Sequence, residues 1–376
     1  MESLGRYPGG ENMHEVELEK FFKGKKVLIT GHTGFKGAWL SQIMVGWGSK
    51  VAGYSLKPNT SPNLFDALKL ENKLDHHIAD IRDLKKINAV VTNFQPDIIF
   101  HLAAQPIVRD SYDDPVYTYD TNVMGTVNVL EAIRLNNIKA AVIVTTDKVY
   151  RNFEKDIGYK EEDHLGGYDP YSNSKACADL IVSSYISSFF NQKEYKKKHN
   201  TLVASARAGN VVGGGDWAKD RLLPDAIKAI IVNNEDLVIR SPRAIRPWQH
   251  VLEPLYGYIL LAYHLYNGET DKAGGWNFGP ADEDMKEVEH VIKLVTNYLN
   301  KGRYLIQEEV TKHEAGILKL DNTKARNNLG WIPKYNLEQT IKETVKWYEA
   351  FHLGQVDIGD FTINQIQTYF KTVKGE

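Results

Sequence analysis

The sequence predicts an α/β fold, a doubly wound parallel sheet with a smaller α/β lobe interwoven behind it. Three observations carry this. Strand-like and helix-like stretches alternate from residue 26 to about 206, the order that βα units with right-handed crossovers produce. The runs 97–104 and 140–145 read as continuous apolar strands, as strands covered on both faces must. A glycine-spaced turn, Gly31-x-x-Gly34-x-x-Gly37, joins the first strand to the first helix.

The elements follow in order. Strand 26–30 runs into the glycine turn and then an apolar helix over 38–47. Strands are expected at 51–54 and 77–80, and a helix over 83–94 that stops before Pro96. Strand 97–104, helix 122–135 and strand 140–145 come next. Asp169 and Pro170 read as N-cap and first residue of a helix that runs to about 190, followed by strand 201–206. After Gly209 the alternation breaks down. Gly213-Gly214-Gly215 and Ser241-Pro242 punctuate shorter elements, with helices over 251–266, 287–299 and 337–351 and short strands such as 237–240.

The 376 residues suffice for one large domain or two that share an interface. A formal net charge of -2 gives no electrostatic case for nucleic acid or an anionic membrane. Lys196-Lys197-Lys198 reads as a solvated loop. One cysteine, Cys177, allows no intrachain disulfide and suits a reducing compartment; beside Ala176 and Ala178 it reads as a small packing residue. No apolar stretch reaches membrane-spanning length and no secretory signal is read at the start, so the expected location is cytoplasmic. The histidines show no ligand spacing, and no metal is expected.

The glycine turn gains meaning from its setting between a strand and a helix. Glycines there allow a tight turn, backbone approach to a pyrophosphate, and free amides at a helix N-terminus. This is the Rossmann pattern for a dinucleotide. The acidic residue expected after the second strand is missing; Ser55 could supply one bond there, and Lys57 leaves NAD against NADP open. Asp80, at the end of the third strand, is an acceptor for an adenine ring, with Asp83 capping the next helix.

Chemistry converges on Thr145-Thr146-Asp147-Lys148 and on Tyr171 with Lys175. Residues four apart share a helix face. In the first helical turn, the helix dipole and the Lys175 charge are expected to favour a Tyr171 phenolate, a general base for an alcohol. Thr146 can share the substrate oxygen. Asp147 and Lys148 add an acid and an amine that simple alcohol oxidation does not need.

From about residue 25 to 333 the chain resembles the extended short-chain dehydrogenase/reductases that act on nucleotide sugars. The resemblance rests on His101-Leu-Ala-Ala-Gln105, Asn122-Val-x-Gly-Thr-x-Asn128 and Leu320-Asp-x-x-Lys-Ala-x-x-x-Leu-Gly-Trp331. The strings at 31–37, 169–177, 206–211, 213–217 and 244–251 are similar to the CDP-glucose group of 4,6-dehydratases. The resemblance implies redox-neutral dehydration of CDP-glucose to the 4-keto-6-deoxy sugar, a precursor for surface polysaccharide, with NAD as cofactor. It implies catalytic roles for Thr146, Asp147, Lys148, Tyr171 and Lys175. Cofactor contacts fall to Gly31, Thr33, Gly34, Phe35, Lys36, Gly37, Ser55, Asp80, Ile81, Leu102, Ala103 and Ala104, besides Tyr171 and Lys175. Gln105, Asn210, Arg221 and Arg246 are the substrate candidates; Arg240, Arg243, Trp217 and Trp248 are weaker ones.

By resemblance Asp147 is the acid toward the C6 oxygen and Lys148 the C5 base. Burial favours the neutral form of each, but a direct ion pair opposes both. The alternative is a charged Lys148 that stabilises the enolate. The resemblance also implies a homodimer or dimer of dimers through helices 122–135 and 171–190. Competing functions are a nucleotide-sugar 4-epimerase, another nucleotide-hexose dehydratase, and a silent dinucleotide-sensing regulator. The expected domains are a loose extension over 1–22, a dinucleotide-binding domain over 23–207 plus about 245–272, and a nucleotide-sugar domain over about 208–244 plus 273–376.

Overall fold

Seven parallel strands build the central sheet: β1 (Lys26–Thr30), β2 (Lys50–Ser55), β3 (Asp75–Ile78), β4 (Ile98–His101), β5 (Ala140–Val144), β6 (Leu202–Arg207) and β7 (Gly274–Asn277). Their spatial order is β3-β2-β1-β4-β5-β6-β7. A computed structural model of the chain describes residues 15–307 and 317–371. Among them the main helices are α1 (Glu15–Phe22), α2 (Phe35–Gly46), α3 (Leu84–Phe94), α4 (Gly125–Asn136), α5 (Pro170–Ser188), α6 (Leu252–Tyr266), α7 (Val288–Leu299), α8 (Leu337–Leu353) and α9 (Ile358–Lys371).

The period-two alternation of a strand explains the layering. Val27, Ile29, Ile98, Phe100, Ala140 and Val142 face one core, which α2 and α6 cover. Leu28, Ile99, Ala141, Ile143 and Val203 face the other, under α3, α4 and α5. Every residue of β4, β5 and β6 is buried. The chain reverses its strand order at β1, with β2 on one side and β4 on the other. A doubly wound sheet opens its ligand crevice at such a point, outside the carboxyl ends of the strands.

Three boundaries differ from expectation. Leu18 and Phe22 of α1 are fully buried, and Phe22 packs on Trp47. Residues 15–22 therefore belong to the first lobe and not to a loose extension over 1–22; residues 1–14 lie outside the described residues. After α6 the chain enters β7, which pairs with β6. The return segment of the sheet-bearing lobe thus reaches 277, past the expected end near 272. The expected helix start at 122 is a wider π turn over Asp120–Met124, which leads into α4.

The second lobe is built from short strand pairs, 211–212 with 249–250, 245–247 with 285–287, and 237–239 with 304–306, together with α7 and α8. Its loop 213–217 is pinned by aromatics of α8: Trp217 packs on Trp347, Tyr348 and Phe351. No helix of the described residues is long and apolar enough to cross a membrane.

Candidate active site

The crevice is framed by a hydroxyl. Thr30, the last residue of β1, shares a hydrogen bond with His101 Nδ1 at 2.7 Å, and its Oγ1 accepts from the amides of Leu102 and Ala103 at 3.2 Å. This holds the Leu102-Ala103-Ala104 segment beside the glycine turn. Gly31 has φ of +75°, and a Cβ there would lie 2.7 Å from the Ala103 nitrogen. A Cβ on Gly37 would overlap the Gly31 carbonyl oxygen. Gly34 differs: a Cβ would meet only that same oxygen, at 3.4 Å. Two of the glycines thus allow close packing, while Gly34 leaves the α2 N-terminus open to a ligand. No acidic residue occupies the first turn of α2, so its free amides and Lys36 present positive charge.

At the far end of the crevice, the Thr33 hydroxyl donates to the Leu56 carbonyl and shares a bond with Ser55 Oγ at 2.9 Å. Arg82 forks onto Asp80, with Nη2 donating to Oδ2 at 2.8 Å, and reaches Asp120 at 3.2 Å. The Arg82 guanidinium holds the Asp80 carboxyl below its ordinary range. Asn128 donates to the Ile81 carbonyl at 3.0 Å, which gives the Asn128 of the helix motif a positioning task. Asp83 caps α3 by accepting from the Lys86 amide.

Near the other end, the short turn Asp147–Val149 follows β5. Thr146 Oγ1 donates to Asp147 Oδ1 at 2.9 Å, and Lys148 Nζ lies 3.8 Å from the same oxygen. Asp147 is fully buried, its Oδ2 has no partner, and it packs against the Cα of Gly209. The Lys148 side chain is 31% exposed. Asp169 caps α5 with both oxygens, accepting from the Ser172 amide at 2.9 Å and the Ser172 hydroxyl at 2.6 Å. That sets Tyr171 in the first turn, as the sequence predicts.

The electrostatics depart from expectation at Tyr171. Burial pushes its phenol up to about 12, the Thr146 hydroxyl pulls against this, and the Asp147 charge adds to it. Lys175 Nζ donates to the Val144 carbonyl at 3.1 Å. Its ammonium is pushed down to about 8 by burial, with Asp179 opposing. The lowering of the phenol expected at Tyr171 is thus opposed by desolvation, which outweighs the Thr146 hydrogen bond.

The second lobe brings Arg221 to this pocket. Its Nη1 donates to Asp216 Oδ2 at 2.7 Å and its charge acts on Tyr171. Asp216 is fixed in turn by the Tyr348 hydroxyl, which accepts from its amide at 3.1 Å. Lys36 faces the same group of charges. Burial pushes it down to about 8, helped by Arg221 and Lys175 and opposed by Asp147 and Asp216. The charges of the phosphate-type loop and of the catalytic candidates thus act on one another, a link that sequence spacing does not reveal.

Asn210 has φ of +44° and a buried Oδ1 without a partner. Asparagine tolerates the left-handed region better than other side chains, and the Oδ1 is left able to accept a further hydrogen bond. Gln105, a substrate candidate, also has a structural task. Its Nε2 donates to Thr118 Oγ1 at 2.9 Å, its Oε1 accepts from the Ile107 amide at 2.5 Å, and it is buried. One bond from each amide atom is spent on shaping the loop after β4. Arg246 lies in the strand 245–247 and donates to the Ile245 carbonyl at 3.0 Å. Arg240 and Arg243 are exposed, Arg240 near Asp220 at 3.6 Å. Trp248 is buried and donates to the Lys286 carbonyl, so both tryptophans pack. No cluster of three His, Cys, Asp or Glu side chains that could hold a metal occurs among the described residues.

Comparison with known proteins agrees with this arrangement. The GDP-mannose 4,6 dehydratase family model matches residues 28–344. The chain is 50% identical over 339 residues to CDP-glucose 4,6-dehydratase of Salmonella typhimurium, covering 90% of this chain and 94% of that one. Its fold is similar to dTDP-glucose 4,6-dehydratase from Bacillus anthracis, solved in complex with NAD (TM-score 0.71, 23% identity, 87% and 97% of the two chains). It is similar also to UDP-glucose 4-epimerase of Thermotoga maritima (TM-score 0.73, 20% identity, 87% and 99%). The chain belongs to the GDP-mannose 4,6 dehydratase family.

Proposed function

We propose that this protein is a CDP-glucose 4,6-dehydratase that converts CDP-D-glucose to CDP-4-keto-6-deoxy-D-glucose. The observation that carries the reading is the buried Asp147 with Lys148 beside it, set next to Thr146 and Tyr171 in a dinucleotide-type crevice. Half of its residues are shared with a relative of that activity over nine-tenths of the chain. An epimerase needs no acid–amine pair after Thr146.

The crevice fits NAD. Gly31 and Gly37 pack tightly and Gly34 leaves room for a pyrophosphate over the α2 amides, while Asp80 and Ile81 would meet the adenine. When bound, NAD supplies the reversible hydride acceptor that makes the overall dehydration redox-neutral. Tyr171 takes the proton of the C4 hydroxyl, which Thr146 also contacts. Burial raises the resting phenol, and a Lys175 charge close to it favours the proton transfer. The C4 ketone acidifies C5–H. The Asp147 carboxylate takes that proton and passes it to the C6 oxygen, so that water leaves; return of the hydride to C6 and of a proton to C5 then completes the 4-keto-6-deoxy product.

Lys148 is best read as the cation that stabilises the enolate. Its side chain is partly exposed and its Nζ lies 3.8 Å from Asp147 Oδ1, where a cation can face the developing oxyanion. Asn210, with its unpartnered Oδ1, and Arg221 serve the sugar-diphosphate. Arg221 and Lys36 keep that end of the pocket cationic.

The protein works in the cytoplasm as a homodimer. The contact uses α4 and α5, where Leu135, Leu180 and Phe189 are exposed; sedimentation analysis checks this. Function is tested by incubating the purified protein with CDP-glucose and NAD and following loss of one water by mass spectrometry. Formation of a 4-epimer, or turnover of other nucleotide-hexoses but not this one, would overturn the reading.

A further inference from the structure

We infer that Gln249, in the short strand 249–250, is a positioning residue that sets the Asp147 carboxyl and the Asn210 side chain through the backbone of Gly209-Asn210. Gln249 is 2% exposed. Its Nε2 donates to the Gly209 carbonyl at 3.2 Å and to the Phe278 carbonyl at 2.9 Å. Its own backbone amide donates to the Asn210 carbonyl at 3.3 Å. Gly209 lies just after β6 and Phe278 just after β7, so one side chain ties the exits of two strands. The exit of a third rests on the same point. A Cβ on Gly209 would overlap the carboxyl of Asp147, which follows β5. The place of that carboxyl therefore depends on where Gln249 holds the Gly209 backbone.

The amide is there to donate. Its Oε1 is buried without a partner, a cost that a side chain kept for packing alone avoids. Methionine would fill the space with no orphaned oxygen, but it would offer no N–H to the two carbonyls. The far side of the tie is rigid. Phe278 is fully buried, its ring edge-on to Trp331 at 5.1 Å and to Tyr258 at 5.8 Å. A Cβ on Gly257 of α6 would overlap the same ring. The Phe278 amide donates to the carbonyl of Arg207, the last residue of β6, at 2.8 Å. The near side has more choice. It is a glycine followed by an asparagine at φ of +44°, two residue types that tolerate several backbone conformations. Gln249 selects one of them, the one that seats Asp147 and presents Asn210.

The consequence is a selective defect. Oxidation at C4 uses Tyr171 and Thr146, whereas elimination uses Asp147 and the diphosphate uses Asn210. Loss of the two donors frees Gly209 to shift, so elimination slows and substrate is held less well while C4 oxidation continues. These roles of Asp147 and Asn210 rest on the dehydratase reading, so one readout must not depend on it. Two variants serve. Gln249→Met keeps the volume without donors, and Gln249→Glu keeps the shape while its ionised form donates nothing. For each, and for the native protein, kcat and KM for CDP-glucose are measured with NAD present. The absorbance of reduced nicotinamide is followed on mixing with CDP-glucose, and stability is measured by urea unfolding. Crystal structures of the same proteins report the positions of Gly209 and Asp147 without any substrate.

In either folded variant kcat should fall by on the order of tenfold to a hundredfold, KM should rise several-fold, and reduced nicotinamide should accumulate beyond the native level. In the crystal, Gly209 should be displaced and the Asp147 carboxyl turned from its native place. A variant that loses stability but keeps native kcat, KM and nicotinamide absorbance would make Gln249 a packing residue only. A loss of turnover with no accumulation, or an Asp147–Gly209 contact unchanged in both variant structures, would equally end the inference. Failure of the native protein to turn over CDP-glucose would sink the functional reading, while the crystal structures would still decide whether Gln249 places Asp147.

Discussion

At Lys148 a single proton separates two mechanisms. An arginine at this position keeps a positive charge but cannot act as a base near neutral pH. If Lys148 stabilises the enolate as a cation, Lys148→Arg retains at least about a tenth of the native turnover, whereas Lys148→Met loses roughly a hundredfold or more. Equal losses in the two variants would instead make Lys148 the C5 base. Gly209 poses the same kind of question for Asp147. Any Cβ there overlaps the buried Oδ2, so Gly209→Ala must swing the carboxyl away from the C6 oxygen. A displacement of about an ångström costs on the order of a hundredfold in rate. The loss should fall on elimination, so the reduced nicotinamide should accumulate, visible in its absorbance, on mixing with CDP-glucose. If water loss proceeds at the native rate, the contact does not set the acid.

Helix α5 is the element that turns residue chemistry into geometry. Asp169 fixes its first turn with two bonds to Ser172, and Asp179 fixes its second half to β5 and β6. Asp169→Ala removes the cap and should lower stability by about 1 kcal/mol, measured by denaturant unfolding. Because Tyr171 lies two residues from the cap, turnover should fall further than stability accounts for. A variant that loses only stability would show that the first turn holds without its cap. The start of this helix was legible because Asp-Pro ahead of an amphipathic run is a local signal. The buried β4 and β5 were legible for the same reason, being apolar along their length. Other features were not. Strand β3 contains Asp75, His76 and His77, since an edge strand need not be apolar, and β7 is Gly274-Gly275-Trp276-Asn277. The structural task of Gln105, the raised phenol of Tyr171 and the approach of Lys36 to Arg221 all depend on burial between distant segments. No spacing rule reports that.

Across the whole molecule, the last helix is tied back to the first lobe through one buried acid. Glu253, at the start of α6, accepts from the Lys334 and Tyr335 amides at 3.0 and 2.7 Å and from the Tyr369 hydroxyl at 2.8 Å. Lys334 Nζ donates to the Tyr369 and Phe370 carbonyls, and Phe370 packs on Trp47 next to α2. Helix α9 therefore supports the helix whose N-terminus meets the cofactor. Burial pushes Glu253 up to about 7, with its hydrogen bonds opposing. The folded state thus holds this proton over a pH range in which the unfolded chain, with an ordinary carboxyl, has lost it. Linkage fixes the direction: the contribution is complete below the ordinary value of about 4.3, declines as pH rises, and is gone above about 7. The full swing is roughly 3 kcal/mol. Thermal unfolding should accordingly show a melting temperature that falls between about pH 5 and 7.5. In Glu253→Gln, which cannot ionise, this part of the slope should disappear. An unchanged slope in the variant would place the titrating group elsewhere and leave Glu253 ionised within the fold.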